Sequence, residues 1–194
     1  MELVQEPQSL TRTLLGEGRI DLIRDCLNKV HKLKGYMAEI GVYQGGISQF
    51  MAASRPDSIL YSCDGFEGLP DLAVEDNNHH KKGDFNDVTY EEVKDFLSSE
   101  KNAIVIKGFF PDGTIHQEMF DKEYFLVHVD VDLYQSTKDC LEFFYPRMVI
   151  GGIIMIDDYP YLNGVKIAVN EFKKQTGIKV ETSIYGQGRI TKKL

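Results

Sequence analysis

The spacing of hydrophobic residues along this chain switches repeatedly between the helical step of three or four and short apolar runs. Residues 19–33 (RIDLIRDCLNKVHKL) place Ile20, Ile23, Leu27 and Val30 on one helical face. Residues 36–40 (YMAEI) form a compact apolar strand that enters Gly41, and residues 47–53 read as a helix that stops before Pro56. Residues 58–63 (SILYSC) give a second strand, ending at Asp64. A helix is expected over 89–97, with Thr89 as N-cap and Glu92 three residues on completing a capping box. Strands follow at 103–107 and 124–131, then a helix from Ser136 to about Tyr145 that Pro146 ends. Residues 149–156 (VIGGIIMI) are apolar almost throughout, as in central strands of parallel sheets that are buried on both faces. A helix over 165–175 and a hairpin of 180–185 with 189–192, turning at Gly186-Gln187-Gly188, close the pattern.

This order predicts an α/β fold: a doubly wound, mostly parallel seven-stranded sheet with an antiparallel C-terminal hairpin. No linker or repeat breaks it, so residues 1–194 read as one domain, with 1–18 as an N-terminal extension. Residues 66–88 (FEGLPDLAVEDNNHHKKGDFNDV) carry neither period, and a connection of that length reads as a lid or substrate loop. Sheets of this kind bind ligands beyond the carboxyl ends of their strands, where the strand order reverses. The chemistry is therefore sought just after each strand.

Charge narrows the field. Thirty acidic against 22 basic residues give a net charge of −8, which speaks against a nucleic-acid surface or an anionic-membrane anchor. No apolar run approaches the roughly 18 residues that would span a bilayer. The first seven residues carry two glutamates and lack the order of a signal peptide. Cys26, Cys63 and Cys140 are odd in number and far apart, which fits a reducing compartment and excludes a disulfide framework or zinc knot. A cytoplasmic protein acting on a small molecule is expected.

Three constellations stand out. Glu39-Ile40-Gly41-Val42-Tyr43-Gln44-Gly45-Gly46 is a strand ending in an acid and a glycine turn, which lets a ligand approach the backbone and a helix N-terminus. It is not the G-x-G-x-x-G dinucleotide fingerprint, and an ordinary strand–helix turn is the competing reading. Asp64-Gly65-Phe66-Glu67-Gly68 follows the second strand, with Asp64 25 residues after Glu39, where an acid can take two ribose hydroxyls. The third constellation is His128-Val129-Asp130-Val131-Asp132 together with Asp157-Asp158. One helix joins the two strands, so a right-handed crossover makes them neighbours and brings the acids together. Such crowding is unfavourable unless protons are shared or a cation intervenes, and oxygen ligands suit Mg²⁺; solvated strand caps are the alternative. His79 and His80 read as a solvated loop pair or as a base or metal ligand, and His128 as a hydrogen-bonded core residue.

In combination, AEIGVYQGG, DGFEGLP, KGFFPDGTI, HVDVDLYQST and GGIIMIDDY resemble the macrocin O-methyltransferase (TylF-like) family, from about Arg19 to the C-terminus. The resemblance implies a Rossmann-like class I methyltransferase that transfers a methyl group from S-adenosylmethionine to a hydroxyl of a small molecule, a sugar or polyol. It implies cofactor contacts from Glu39, Gly41, Val42, Tyr43, Gly45, Gly46, Ser48, Asp64, Gly65, Phe66, Gly68 and Gly108. Asp130, Asp157 and Asp158 would hold Mg²⁺, Asp132 would be the general base, and a homodimer is admitted. The chain departs from the family at Gly65, where serine is usual, at an inserted Gly113, and in a short N-terminus that implies a reduced lid. The alternatives are a nicotinamide-dependent oxidoreductase, which the missing fingerprint disfavours, and a non-catalytic nucleoside- or cation-binding module.

Overall fold

The computed structural model describes residues 12–76, 79–111 and 117–194. Most of the N-terminal extension and the inserted Gly113 lie outside these residues. Seven strands form one sheet: β1 (Tyr36–Ile40), β2 (Leu60–Asp64), β3 (Ala103–Lys107), β4 (Tyr124–Val129), β5 (Met148–Ile156), β6 (Glu181–Thr182) and β7 (Gly188–Thr191). Their order across the sheet is β3-β2-β1-β4-β5-β7-β6. The first five run parallel, and β7 lies antiparallel to both β5 and β6, as the sequence pattern requires.

The helices are α1 (Glu17–Lys29), α2 (Gly46–Ser54), α3 (Tyr90–Phe96), α4 (Tyr134–Arg147) and α5 (Asn163–Thr176). The central strands feed both faces of the sheet alternately. Met37, Leu126 and Ile153 sit side by side in register and join Ile20, Ile23 and Leu27 of α1 and Phe50 of α2. Their successors Ala38, Val127 and Ile154 face the other way, into a core with Leu141 and Phe144 of α4 and Val169 of α5. Every one of these side chains is buried, which explains why β4 and β5 show no polar alternation.

Some boundaries differ from the sequence reading. The first helix ends at Lys29, where the N–H groups of Val30 and Leu33 turn back onto Cys26 and Val30. Strand β4 stops at Val129 instead of Val131, so Asp130 already belongs to the loop. Helix α4 begins at Tyr134 and carries Pro146 inside its last turn instead of ending before it. Close by, Arg147 donates to the Phe143 carbonyl at 2.8 Å, one of the carbonyls near the helix end. The Thr89–Glu92 capping box forms as expected.

Candidate active site

The site lies along the carboxyl edge of the sheet, where the chain turns one way from β1 to β2 and the other way from β4 to β5. The backbone is tight here. Asp130 N–H donates to the Ile40 carbonyl at 2.8 Å, and Gly41 N–H to that of Cys63 at 2.9 Å. Gly41 has φ +86°, and a Cβ there would run into the Asp130 carbonyl. Only glycine fits.

The two acids at the ends of β1 and β2 are already engaged. Asp64 Oδ2 accepts from the backbone N–H of Val42 (2.8 Å) and Tyr43 (2.9 Å), and Oδ1 from that of Phe66 (2.8 Å). The expected ribose acceptor thus also clamps the glycine turn to the next loop, with about one of its roughly four lone-pair positions left over. Glu39 is 2% exposed; one oxygen takes the Ser48 hydroxyl and the other faces His128 Nδ1 at 3.1 Å. The Ser48 and Ser62 hydroxyls are 2.7 Å apart. Burial presses the His128 imidazole toward neutrality, but the Glu39 carboxylate outweighs it, so the ring holds its proton more strongly than usual. His128 is the hydrogen-bonded core residue that the sequence suggested.

A cavity opens above these acids. Glu39, Gly41, Val42, Tyr43, Asp64, Gly65, Gly68 and Gly108 line it, and so do Asp130, Asp132, Asp157 and Asp158. Four residues of the expected cofactor set stand off the wall. Ser48 lies behind Glu39, Gly46 gives its N–H to the Arg12 carbonyl at 2.9 Å, Gly45 backs onto Val93 and Phe96, and Phe66 is packed with Val88 and Val93.

The acids after β4 and β5 behave differently. Asp130, Asp132 and Asp158 each offer one carboxylate oxygen, and these atoms lie within 4.8 Å of one another. Asp157, the expected partner of Asp130 and Asp158, instead directs Oδ2 to Arg19; the buried Gln187 amide acts on the same carboxylate, yet Asp157 Oδ1 completes no well-formed hydrogen bond. Burial raises Asp130 well above the ordinary carboxylate range, with the Asp157 and Asp132 charges adding to it. Asp132 is pushed up to about 6 by burial, with His80 pulling the other way. Burial also raises Asp157, against the pull of His128 and Arg19.

Backbone strain collects at the same place. Tyr43, Phe66, Phe85, Asp132 and Asp158 are the non-glycine residues with positive φ among those described, and all but Phe66 line the cavity. The irregular stretch 66–88 is anchored over it. Asp76 accepts from Ala73 N–H (2.8 Å) and from Tyr134 N–H at the start of α4 (2.7 Å), and Asn163 donates to the Glu75 carbonyl. Of the two histidines, His79 is exposed, whereas His80 lies between Asp84 (Nδ1–Oδ2 3.7 Å) and Asp132 (Nε2–Oδ1 3.9 Å) with its ring packed on Phe85. Asn77 and Asn78 lie outside the described residues.

Sequence reasoning missed Arg19, which bonds to both Asp157 and Asp158, and the wall formed by Leu14, Leu69, Phe85 and Phe109. Arg19 and Asp157 are 138 positions apart, and no local pattern announces such a pairing.

This sheet is that of the Rossmann-like methyltransferases. It matches the structure of the O-methyltransferase NovP with a TM-score of 0.84 at 24% identity, over 94% of this chain and 83% of that one. It matches CalS11, a calicheamicin methyltransferase, at 0.76 and 21% identity over 92% and 80%. The chain belongs to the macrocin-O-methyltransferase (TylF) family, whose sequence model matches residues 3–185. Its relatives include the demethyldecarbamoylnovobiocin O-methyltransferase of Streptomyces niveus, 29% identical over 87% of this chain and 70% of that protein. The mycinamicin III 3''-O-methyltransferase of Micromonospora griseorubida is 26% identical over 89% and 74%. The protein is an S-adenosylmethionine-dependent O-methyltransferase. Among the described residues, no helix is long and apolar enough to cross a membrane.

Proposed function

We propose that the enzyme methylates a hydroxyl of a sugar carried by a small molecule and that it depends on Mg²⁺. The observation that carries this reading is the convergence of Asp130, Asp132 and Asp158 at the wall of the cavity that also contains the glycine turn. Carboxylates brought together in a buried setting, with raised pKa values and an Asp157 oxygen that completes no well-formed hydrogen bond, suit a hard divalent cation with oxygen ligands. The sugar is supported by a relative from Streptomyces olivaceus, the 8-demethyl-8-(2,3-dimethoxy-α-L-rhamnosyl)-tetracenomycin-C 4'-O-methyltransferase, whose acceptor carries a rhamnosyl group.

In this reading residues 39–46 and 64–68 receive the methyl donor. Gly41 lets it approach the backbone, and Asp64 keeps the turn closed and offers its remaining acceptor position to the ribose. Asp130 and Asp158, with the free oxygen of Asp157, hold the cation. When bound, the cation supplies Lewis acidity to an acceptor hydroxyl. Methyl transfer breaks a carbon–sulfur bond, forms a carbon–oxygen bond and leaves one proton to be accepted. Asp132 takes that proton: it lies in the same cluster, and a carboxylate held near 6 is a stronger base than an ordinary one yet still ionised at neutral pH. Residues 66–88 cover the acceptor, with the Leu69, Phe85 and Phe109 side chains excluding water.

A second reading has its own observation. Because the Asp132 oxygen clusters with Asp130 and Asp158 while that of Asp157 does not, Asp132 is the third ligand. Asp132→Asn separates the two: loss of turnover with Mg²⁺ affinity kept marks the base, and loss of both marks the ligand.

The main test is methyl transfer from S-adenosylmethionine to glycosylated acceptors bearing vicinal hydroxyls, assayed with excess EDTA and after adding Mg²⁺. Abolition by EDTA and recovery with Mg²⁺ are expected. Full activity in EDTA would return the acids to strand caps.

A further inference from the structure

We infer that Arg19 is a positioning residue of the cation site, its guanidinium fork fixing the directions in which Asp157 and Asp158 present their free oxygens. The inference rests on the cation reading above. Arg19 stands in the first turn of α1, which packs its Ile20, Ile23 and Leu27 against Ile153 and Met155 of β5. Its Nη1 donates to Asp157 Oδ2, its Nη2 to Asp158 Oδ1 at 2.8 Å, and its Nε to the Tyr185 carbonyl at 3.0 Å. Gly18, just before it, makes room: a Cβ there would lie 2.6 Å from the Tyr185 ring.

The geometry is more specific than charge neutralisation demands. Asp157 and Asp158 are adjacent, and Asp158 is held at φ +54°. Two neighbouring carboxylates left alone would swing apart. The fork instead takes one oxygen from each and is itself fixed by a third bond to the backbone. The buried Asp157 Oδ1 then has the Gln187 amide acting on its carboxylate but no well-formed hydrogen bond, and Asp158 keeps a carboxylate oxygen within 4.8 Å of those of Asp130 and Asp132. A buried acceptor left open is unfavourable unless a ligand completes it. Carboxylates that hold a metal are commonly oriented by such outer hydrogen bonds, and losing one costs 10–100-fold in metal affinity. Lysine cannot stand in, because its ammonium offers a point charge and no planar fork.

The test titrates MgCl₂ into the metal-free wild type, Arg19→Met and Arg19→Lys by calorimetry. Affinity for S-adenosylhomocysteine in EDTA, measured on the same samples, reports whether the fold and donor site are intact. Both variants are expected to lose on the order of 10–100-fold in Mg²⁺ affinity while S-adenosylhomocysteine affinity is kept. Wild-type Mg²⁺ affinity in Arg19→Lys would show that charge alone matters and overturn the inference. So would unchanged or tighter Mg²⁺ binding by Arg19→Met, which would make Arg19 a competitor of the cation. A wild type that takes up no Mg²⁺ would fail the cation reading itself, whereas a binding wild type with unaffected variants would fail only the role of Arg19.

Discussion

Two sets of acids stand on one sheet edge, and their surroundings differ. At the ends of β1 and β2, Glu39 and Asp64 are answered by the protein itself: Asp64 by three backbone N–H groups, Glu39 by Ser48 and His128. After β4 and β5, four aspartates share Arg19 and the distant His80, and burial drives Asp130, Asp132 and Asp157 toward protonation. The first set is finished architecture. The second is crowded charge that the proposed cation would neutralise, and the difference sets groups that shape the cavity apart from groups proposed to do chemistry in it.

The largest effect is expected where that contrast is sharpest. Asp132→Asn keeps size and hydrogen bonding but cannot accept a proton, so kcat should fall on the order of 10²–10⁴. Single-turnover methyl transfer with saturating donor checks this, and near-normal kcat would leave the proton acceptor unassigned. Asp64→Ala, on the finished side, should act through structure. Three backbone donors lose a charged acceptor, at about 1.5–3 kcal/mol for a hydrogen bond to a charged group and less where water replaces it. Thermal stability and S-adenosylhomocysteine affinity should therefore fall together. A variant that loses cofactor affinity at unchanged Tm would make Asp64 a ligand contact and nothing more. Ser48→Ala is expected to be the mildest. It removes one partner of Glu39 from behind the wall, for roughly 1–2 kcal/mol of stability, with Mg²⁺ dependence unchanged in an activity titration.

The same division explains what the sequence disclosed. The seven strands, their succession along the chain and the closing hairpin follow from apolar periodicity, because the requirement to bury both faces of β1, β4 and β5 is written locally. The acids of both sets were legible as strand-end residues. Their partners were not: Asp64 spends its carboxylate on backbone groups, and backbone donors leave no residue signature. Arg19 reaches Asp157 only because α1 packs on the face of the sheet below β5. The positive φ of Asp132 and Asp158 likewise arises from the closed loops around them and not from residue type. Pro146 inside the last turn of α4 shows the reverse case, a local rule overridden by the helix that holds it.

The most direct test of the claim that the second set awaits a cation is thermal stability against pH, with EDTA and with Mg²⁺. Asp132 sits near 6 in the folded protein, above its unfolded value of about 4. Its contribution to stability is therefore fully present below about pH 4 and lost as pH rises through 6. Asp130, Asp157 and His128, all shifted upward, act with the same sign. Asp57 and Glu181, shifted downward by their arginine and lysine partners, act oppositely, but their contributions are complete above about pH 5. In EDTA, Tm should thus fall between pH 5.5 and 8, and Mg²⁺ should raise Tm strongly at pH 8 and hardly at pH 5.5, where protons already occupy the site. A Tm in EDTA that is level or rising over this range, with no shift on adding Mg²⁺ at pH 8, would contradict the account.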